Sequence, residues 1–344
     1  MPLRLEATTP ESIREIVSFL ERVFGAQGSP NFRADLLRWK YYERGPAWPG
    51  SRSYVLRKDG RIVAHACAWP IRLATPNGEV QAIQMLDWAS DPNVAGAGVA
   101  LSRQLEAFAP VLITCGGSED THKILPKIGF TPHEPIANYA RVLRPLRQFL
   151  TRPSKGIRAL GKLARNVTWS MSGIAANRGW SYERTDPDPE VFSTWNARPP
   201  SGPTSRYEEP FAKFLLRCPA VRFEYFSLIK RGRRRGFFLL SRVNGQTRLA
   251  DLRIVANGGE DLSRVYAVAI RAAKADSTAC ELIATAPAPQ IALALEANGF
   301  RPRGATPVFV RDPKGLLGDT KRLRLSMLDD DSAFLKFPEH PYST

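Results

Sequence analysis

One stretch of this 344-residue chain combines the residue types of an anion site with those of a base: Leu86-Asp87-Trp88-Ala89-Ser90-Asp91-Pro92-Asn93-Val94-Ala95-Gly96-Ala97-Gly98-Val99-Ala100. Strand-forming residues run into a small glycine-containing turn and then into a helix-forming segment. Glycines let backbone N–H groups approach a pyrophosphate closely, and the unpaired donors and positive dipole end of the following helix hold it without a cationic side chain. The candidate binding residues are Trp88, Ala89, Asn93, Val94, Ala95, Gly96, Ala97, Gly98 and Val99. The plainer reading of such a turn is a tight connection. Asp87, between Leu86 and Trp88, is the candidate base, because desolvation on a central strand would lift its carboxyl towards neutrality. Pairing with one of the many arginines is the alternative. His65 could contribute from a neighbouring strand, although a lone strand histidine is more often a satisfied core residue. Cys115-Gly116-Gly117-Ser118-Glu119-Asp120 offers a thiol without a paired base, so a turn after a strand suffices there, and His122 is expected at the surface.

The elements that must position these groups occur twice. In the first half, strand-like runs at 53–57, 61–73 and 80–89 are joined at Lys58-Asp59-Gly60 and Pro76-Asn77-Gly78. In the second half, runs at 222–229, 236–243 and 247–255 are joined at Arg231-Gly232-Arg233 and Asn244-Gly245. Asp-Gly and Asn-Gly between such runs are hairpin signals. An apolar-periodic helix precedes each meander (34–42 and 210–217) and another follows it (100–108 and 262–274). A strand (111–115 and 280–284) and a short helix closed by Gly129-Phe130 or Gly299-Phe300 come next, with the glycine suited to a left-handed cap. Gly245 lies 167 residues after Gly78 and Gly299 lies 170 after Gly129, a period long enough to mean duplicated domains and not a solenoid.

Forty-nine Lys and Arg stand against 33 Asp and Glu, a net charge of +16 on an otherwise ordinary globular composition that excludes a disordered chain. Cys67, Cys115, Cys218 and Cys280 are far apart with no C-x-x-C pair, which excludes a zinc ribbon and points to reduced thiols in the cytoplasm. The first residues have no signal-peptide pattern, and no apolar run approaches the roughly 20 residues of a membrane span. The tip Arg231-Gly232-Arg233-Arg234-Arg235 has no interleaved aromatics, so a solvated hairpin is expected and nucleic acid is not favoured as a partner.

No acidic residue occurs between Glu134 and Glu183, while Arg141, Arg144, Arg147, Arg152, Lys155, Arg158, Lys162, Arg165 and Arg178 do. At helical spacing Ile157, Leu160, Leu163, Ala164, Val167, Met171 and Ile174 share one face, opposite Lys155, Arg158, Lys162 and Arg165. The first expectation is an interdomain helix that buries its apolar face. A helix on an anionic membrane surface through residues 155–175, with Trp169 near the interface, and a platform for a polyanion such as RNA are the alternatives. Residues 186–206 then read as loops around one short helix near 191–195.

The order helix, meander, glycine turn, helix, strand, short helix and Gly-Phe resembles the GNAT acyltransferase superfamily. Asn93-Val94-Ala95-Gly96-Ala97-Gly98 matches both glycines of its Q/R-x-x-G-x-G/A loop and replaces the leading residue with Asn. The resemblance implies an α/β fold of two tandem GNAT-like domains, each a mixed, mostly antiparallel sheet flanked by helices. Residues 1–145 would bind acyl-CoA, 146–181 form the basic linker, and 182–344 form a degenerate second copy. In that copy Val255-Ala256-Asn257-Gly258-Gly259-Glu260-Asp261-Leu262 lacks the glycine spacing and carries two carboxylates. Leu323 to Leu328 with Asp329-Asp330-Asp331 resembles a closing strand. The implied activity is direct transfer of an acyl group, most simply from acetyl-CoA, to a small-molecule or peptide amine. The position of the family's usual acid tyrosine holds Leu125 in the first copy and Leu295 in the second. A FemABX-like transferase using aminoacyl-tRNA and a non-catalytic CoA-binding scaffold are the rivals.

Overall fold

The computed structural model describes residues 3–45, 47–151, 157–198, 201–254, 259–337 and 341–344. Arg152 and Lys155 of the basic segment and Val255 to Gly258 of the second glycine turn lie outside them. In the first half β1 (Arg4–Ala7), α1 (Ile13–Phe24) and α2 (Ala34–Tyr42) precede the meander β2 (Ser53–Lys58), β3 (Arg61–Thr75) and β4 (Gly78–Ser90). Helix α3 (Ala97–Leu105), β5 (Val111–Cys115), α4 (Glu119–Ile124) and β6 (Thr131–Val142) follow. Helices α5 (Pro145–Thr151) and α6 (Ile157–Ser170) link to β7 (Trp180–Arg184), α7 (Pro189–Asn196), β8 (Thr204–Arg206) and α8 (Glu209–Leu216). The second half then repeats the order with β9 (Arg222–Lys230), β10 (Arg233–Val243), β11 (Gln246–Ile254), α9 (Gly259–Ala275), β12 (Glu281–Ala286), α10 (Pro289–Glu296) and β13 (Arg301–Arg311).

All thirteen strands join one mixed, mostly antiparallel sheet, ordered β1-β2-β3-β4-β5-β13-β6-β12-β11-β10-β9-β7, with β8 on β3. The two halves exchange their last strands: β13 of the second half pairs with β5, and β6 of the first half pairs with β12. The exchange is latched symmetrically. Gly129 and Gly299, each at positive φ, end the Gly-Phe turns, and Arg311 of β13 donates to Ile128 O at 2.8 Å while Arg141 of β6 donates to Asn298 O. A side chain at either glycine would collide with that guanidinium.

The expected closing strand at 323–331 is corrected. Among the described residues its only ladder contact is an isolated bridge from Arg324 to Thr204, because β13 already fills the closing position and Asp329 to Asp331 form a polar turn. The segment threads into the main core instead, burying Leu325, Met327, Leu328 and Phe334, with Trp69 Nε1 donating to Leu328 O at 3.2 Å. That core is shared between the halves, since Trp39 of α2 stacks on Phe214 of α8 at 4.4 Å.

Helix α6 is the second correction. Its inner side is polar: Asn166 is buried and its Nδ2 donates to Gln148 Oε1 of α5 at 2.8 Å. Ile157, Leu160, Val167 and Met171 are exposed, while Leu163 is half-buried and Ile174 packs against the core of the second half, so most of the face expected to lie between domains points outward. Among the described residues no helix is long and apolar enough to cross a membrane.

Candidate functional site

Strands β4 and β5 run parallel and pair only from Ala82 with Val111 to Gln84 with Ile113, then separate. Gln84 is fully buried at the fork. With its amide turned so that Nε2 donates to Ile113 O (3.2 Å) and Oε1 accepts from Cys115 N (2.9 Å), its side chain takes the place of the next rung. Past that wedge β4 has no strand on its β5 side among the described residues, which leaves the backbone there open to another hydrogen-bonding chain. Between His65 and Cys67 on β3 the register shifts, and opposite the shift Asp87 has φ +49°, so β4 bulges at its exit from the fork. The second half repeats the device. Strands β11 and β12 pair only from Gln246 with Glu281 to Arg248 with Ile283, then part around a cavity of about 460 Å³ bordered by Arg198, Arg253 and Arg324.

Beyond the first fork the chain turns into α3. Gly96 caps the helix in the left-handed region (φ +78°), a conformation that disfavours any residue with a Cβ. Gly98 lies against the strand, where a Cβ would come 3.1 Å from Ser90 Oγ, and its carbonyl accepts from Trp88 Nε1 at 3.1 Å. The N–H groups of Asn93, Val94, Ala97 and Ala100 are used within the turn. Among the described residues those of Ala95, Gly96, Gly98 and Val99 have no acceptor, and they surround the positive end of the helix. Trp88 therefore braces the turn, while Ala95, Gly96, Gly98 and Val99 supply the donors.

Under the β4 bulge lies a buried ionic cluster. Lys40, wholly inaccessible on α2, bonds Asp87 Oδ2 at 2.9 Å and Asp331 Oδ2 at 3.0 Å, and Tyr41 OH donates to Asp87 Oδ2 at 2.6 Å. Burial pushes the Asp87 carboxyl up, but the Lys40 ammonium and the two hydrogen bonds outweigh it and hold the group below the ordinary carboxylate range. The expectation of a base lifted towards neutrality at Asp87 is thus corrected. The compensating cation is a buried lysine that sequence spacing does not reveal. Burial and the neighbouring Asp87 instead push Asp331 up, against Lys40. Asp330 rises to about 7, through burial and then the adjacent Asp331, and Asp329 rises to about 6 through burial. Asp330 Oδ1 accepts from Ser332 N at 2.8 Å, and the Ser332 side chain also hydrogen-bonds the carboxylate.

The remaining candidates have structural partners. His65 is buried between Ser53 Oγ (3.0 Å) and Asp87 O (3.1 Å), with its imidazole pushed down to about 4 by burial. The Cys115 thiol, at the end of β5, is held well above its ordinary value by burial and next by Asp330, which suits neither thiolate nor nucleophile. His122 bonds Gly116 O at 2.9 Å, and the basic hairpin tip at 231–235 is exposed, with Arg234 paired to Asp188.

Residues 4–107 match the family described as acetyltransferase (GNAT) domain. The matched stretch includes the first meander and the glycine turn into α3. A GCN5-related N-acetyltransferase from Anabaena variabilis ATCC 29413 is similar in fold over 90% of this chain and 72% of its own, at 10% identity and a TM-score of 0.60. Saccharomyces cerevisiae N-myristoyltransferase with bound myristoyl-CoA is similar over 91% of this chain and 84% of its own, at 11% identity and a TM-score of 0.60. A probable N-acyltransferase from Enterococcus faecalis V583 gives 10% identity and a TM-score of 0.57 over 91% of this chain and 73% of its own. No curated protein sequence matches. The GNAT fold thus extends over both halves, and the fork and glycine turn fall in the first. Leu125 and Leu295, where the family resemblance places a tyrosine acid, are both fully buried apolar residues.

Two groups escaped the sequence. Lys40 is one of two basic residues on α2, with Arg38, and nothing in its spacing separates it from a surface lysine. The run Asp329-Asp330-Asp331 was visible, but only the tertiary path of the tail delivers it to the fork.

Proposed function

We propose that the protein is an acyl-CoA-dependent N-acyltransferase that moves its acyl group directly to an amine. The observation that carries this is the pairing of a strand fork with four free N–H donors at the start of α3. The donors fit a pyrophosphate, and the unpaired β4 edge suits the amide groups of a pantetheine arm. Residues 1–145 and 182–344 act as the donor-binding and acceptor-shaping halves. Lys40, Tyr41 and Trp69 are at most 1% exposed and fill the space behind the bulge, which favours a short acyl group, most simply acetyl.

The amine nitrogen attacks the thioester carbonyl carbon, the C–S bond breaks, and the thiolate of CoA leaves. Asp330 receives the amine proton on its carboxylate. A carboxyl near 7 is charged half the time at neutrality and basic enough to accept the proton. Lys40 and Asp87 hold the Asp331 side of the same turn. Without a tyrosine at Leu125 the thiolate departs unprotonated, which its acidity relative to an amine permits. The acceptor enters from the second half, where Arg198 and Arg324, beside the Arg253–Asp251 ion pair (2.8 Å), favour one that also carries an anionic group.

The test is thiol release from acetyl-CoA in the presence of a panel of amines, including amino acids and peptides. Amine-dependent release that is lost in Asp330→Asn is the expected result. Failure of every amine, together with failure to bind CoA, would sink the proposal.

A further inference from the structure

Surface helices normally bury an apolar stripe and expose a polar one. Helix α6 instead buries a polar residue, Asn166, and leaves Ile157, Leu160 and Val167 exposed, and its neighbour α5 shares the exposure. Of the eleven large apolar side chains exposed among the described residues, six lie here: Leu146 (65%), Leu150 (67%), Ile157 (89%), Leu160 (56%), Val167 and Met171 (79%). Exposed apolar residues scattered singly need no explanation, but a contiguous set marks an interaction surface. The orientation is pinned from beneath. Asn166 donates to Gln148, whose Nε2 in turn donates to Thr344 Oγ1 at 2.6 Å and to Glu281 at 3.3 Å. Arg165 and Arg303 stack on the Trp169 ring at 4.2 and 5.5 Å, fixing the inner edge. Rotating the helix to hide its apolar face would break all of these contacts.

Cations share the exposed surface of the two helices. Arg147 of α5 is exposed, as are Arg158 and Lys162 on the side of α6 away from the apolar stripe, and the sequence holds no acidic residue from 135 to 182. An apolar strip on helices that carry cations and no acidic residue complements a surface whose charge is negative and whose interior is hydrocarbon. A second copy of the chain paired through this face would set the same cations against each other. We infer that α5 and α6 form a peripheral membrane-binding face, with α6 lying in the plane of an anionic lipid bilayer and Ile157, Leu160 and Met171 entering its acyl boundary. The inference is independent of the acyl-transfer reading.

Co-sedimentation with phosphatidylcholine vesicles containing phosphatidylglycerol, against vesicles of phosphatidylcholine alone, tests it. The intact protein should pellet with the anionic vesicles at low salt, release at high salt as the charges are screened, and ignore the neutral ones. Ile157→Glu with Leu160→Glu, both at exposed positions, should abolish binding with an unchanged melting temperature. Arg158→Gln with Lys162→Gln should weaken it roughly 30-fold at low salt, at the usual contribution of a cation near an anionic surface. Arg231→Glu with Arg233→Glu, at the exposed hairpin tip, should leave it unchanged. Absence of binding at low salt, or binding lost in the hairpin variant and kept in the α6 variants, would overturn the inference. So would a dimer in sedimentation velocity that Ile157→Glu with Leu160→Glu dissociates, or an acidic protein captured by α6 while anionic vesicles are not.

Discussion

Ala95→Asp separates the two roles that a carboxylate can play at the start of a helix. Ala95 is exposed, its N–H has no acceptor among the described residues, and it directly precedes the left-handed cap at Gly96. A new carboxylate there faces the positive end of α3, which stabilises the helix by about 0.3 to 1 kcal/mol. It also stands where the pyrophosphate of CoA is proposed to sit. A unit charge pair at 4 Å is worth about 1 kcal/mol in bulk water and about 4 kcal/mol at an effective dielectric of 20. The turn is exposed, so the water limit is the safer guide, and two phosphate charges then cost about 2 kcal/mol, roughly a 30-fold loss of affinity. Calorimetric titration of CoA into parent and variant at low salt, with melting curves of both, reads the two effects together. Affinity should fall while the melting temperature holds or rises, and the difference should shrink as salt is added. S-acetylpantetheine, which lacks the pyrophosphate, should bind both proteins equally. CoA held as tightly by the variant as by the parent would refute the placement of the pyrophosphate at this turn. Gly98→Asp is the blunter probe, because its Cβ also presses on Ser90.

Other consequences follow from the buried groups. If Asp330 is the base, kcat/KM should rise with pH through about 7, and Asp330→Asn should flatten that limb. The same carboxyl is raised above its ordinary 3.8, so the folded state holds a proton that the unfolded chain has lost. Its stabilising contribution is complete below about 4 and disappears as pH climbs towards 7. Asp330→Asn should therefore melt higher than the parent at pH 8 while losing activity, whereas a merely structural aspartate would give a lower melting point. Lys40→Met strands two buried carboxylates and should cost about 3 to 5 kcal/mol in urea unfolding, with part of the loss recovered by adding Asp331→Asn. Gly299→Ala forces an alanine into the left-handed region against Arg141 and should cost at least about 1 kcal/mol, with Gly129→Ala behaving alike. Equal thermal stability of these glycine variants and the parent would remove the latch described for the strand exchange.

Local chemistry was the legible part of this chain. Asn77-Gly78 and Asn244-Gly245 announce their hairpins because few other pairs tolerate the turn, and Gly96 with Gly98 announces a turn whose backbone must approach something closely. The parts that stayed hidden all depend on which surface meets which. The hydrophobic periodicity of α6 says that one face is apolar but not that Asn166 would be the residue facing inward. Asp87 between two apolar neighbours implies burial correctly, yet the sign of its shift rests on Lys40, 47 residues earlier in the chain. Leu323 to Leu328 alternates like a strand, and it became a core plug because its place in the sheet had been taken.

That last substitution explains why the halves work as one unit. Strands β6 and β13 carry the same alternation whether they pair within their own half or across, so periodicity is silent about the exchange. Arg141 and Arg311 are less neutral, because each reaches into the Gly-Phe turn at the end of the half it closes, and a backbone carbonyl inside a sheet edge needs such a partner when water is excluded. The consequence reaches the fork itself. With β13 pairing along β5 from Val308 at Cys115 to Arg311 at Leu112, the wall opposite β4 is built by the second half. The tail that leaves β13 then has only residues 312–328 in which to cross to the core before it sets Asp330 near Cys115. A degenerate second copy could lose its own glycine turn and still be retained, since the first copy's site has no closing wall and no raised carboxyl without it.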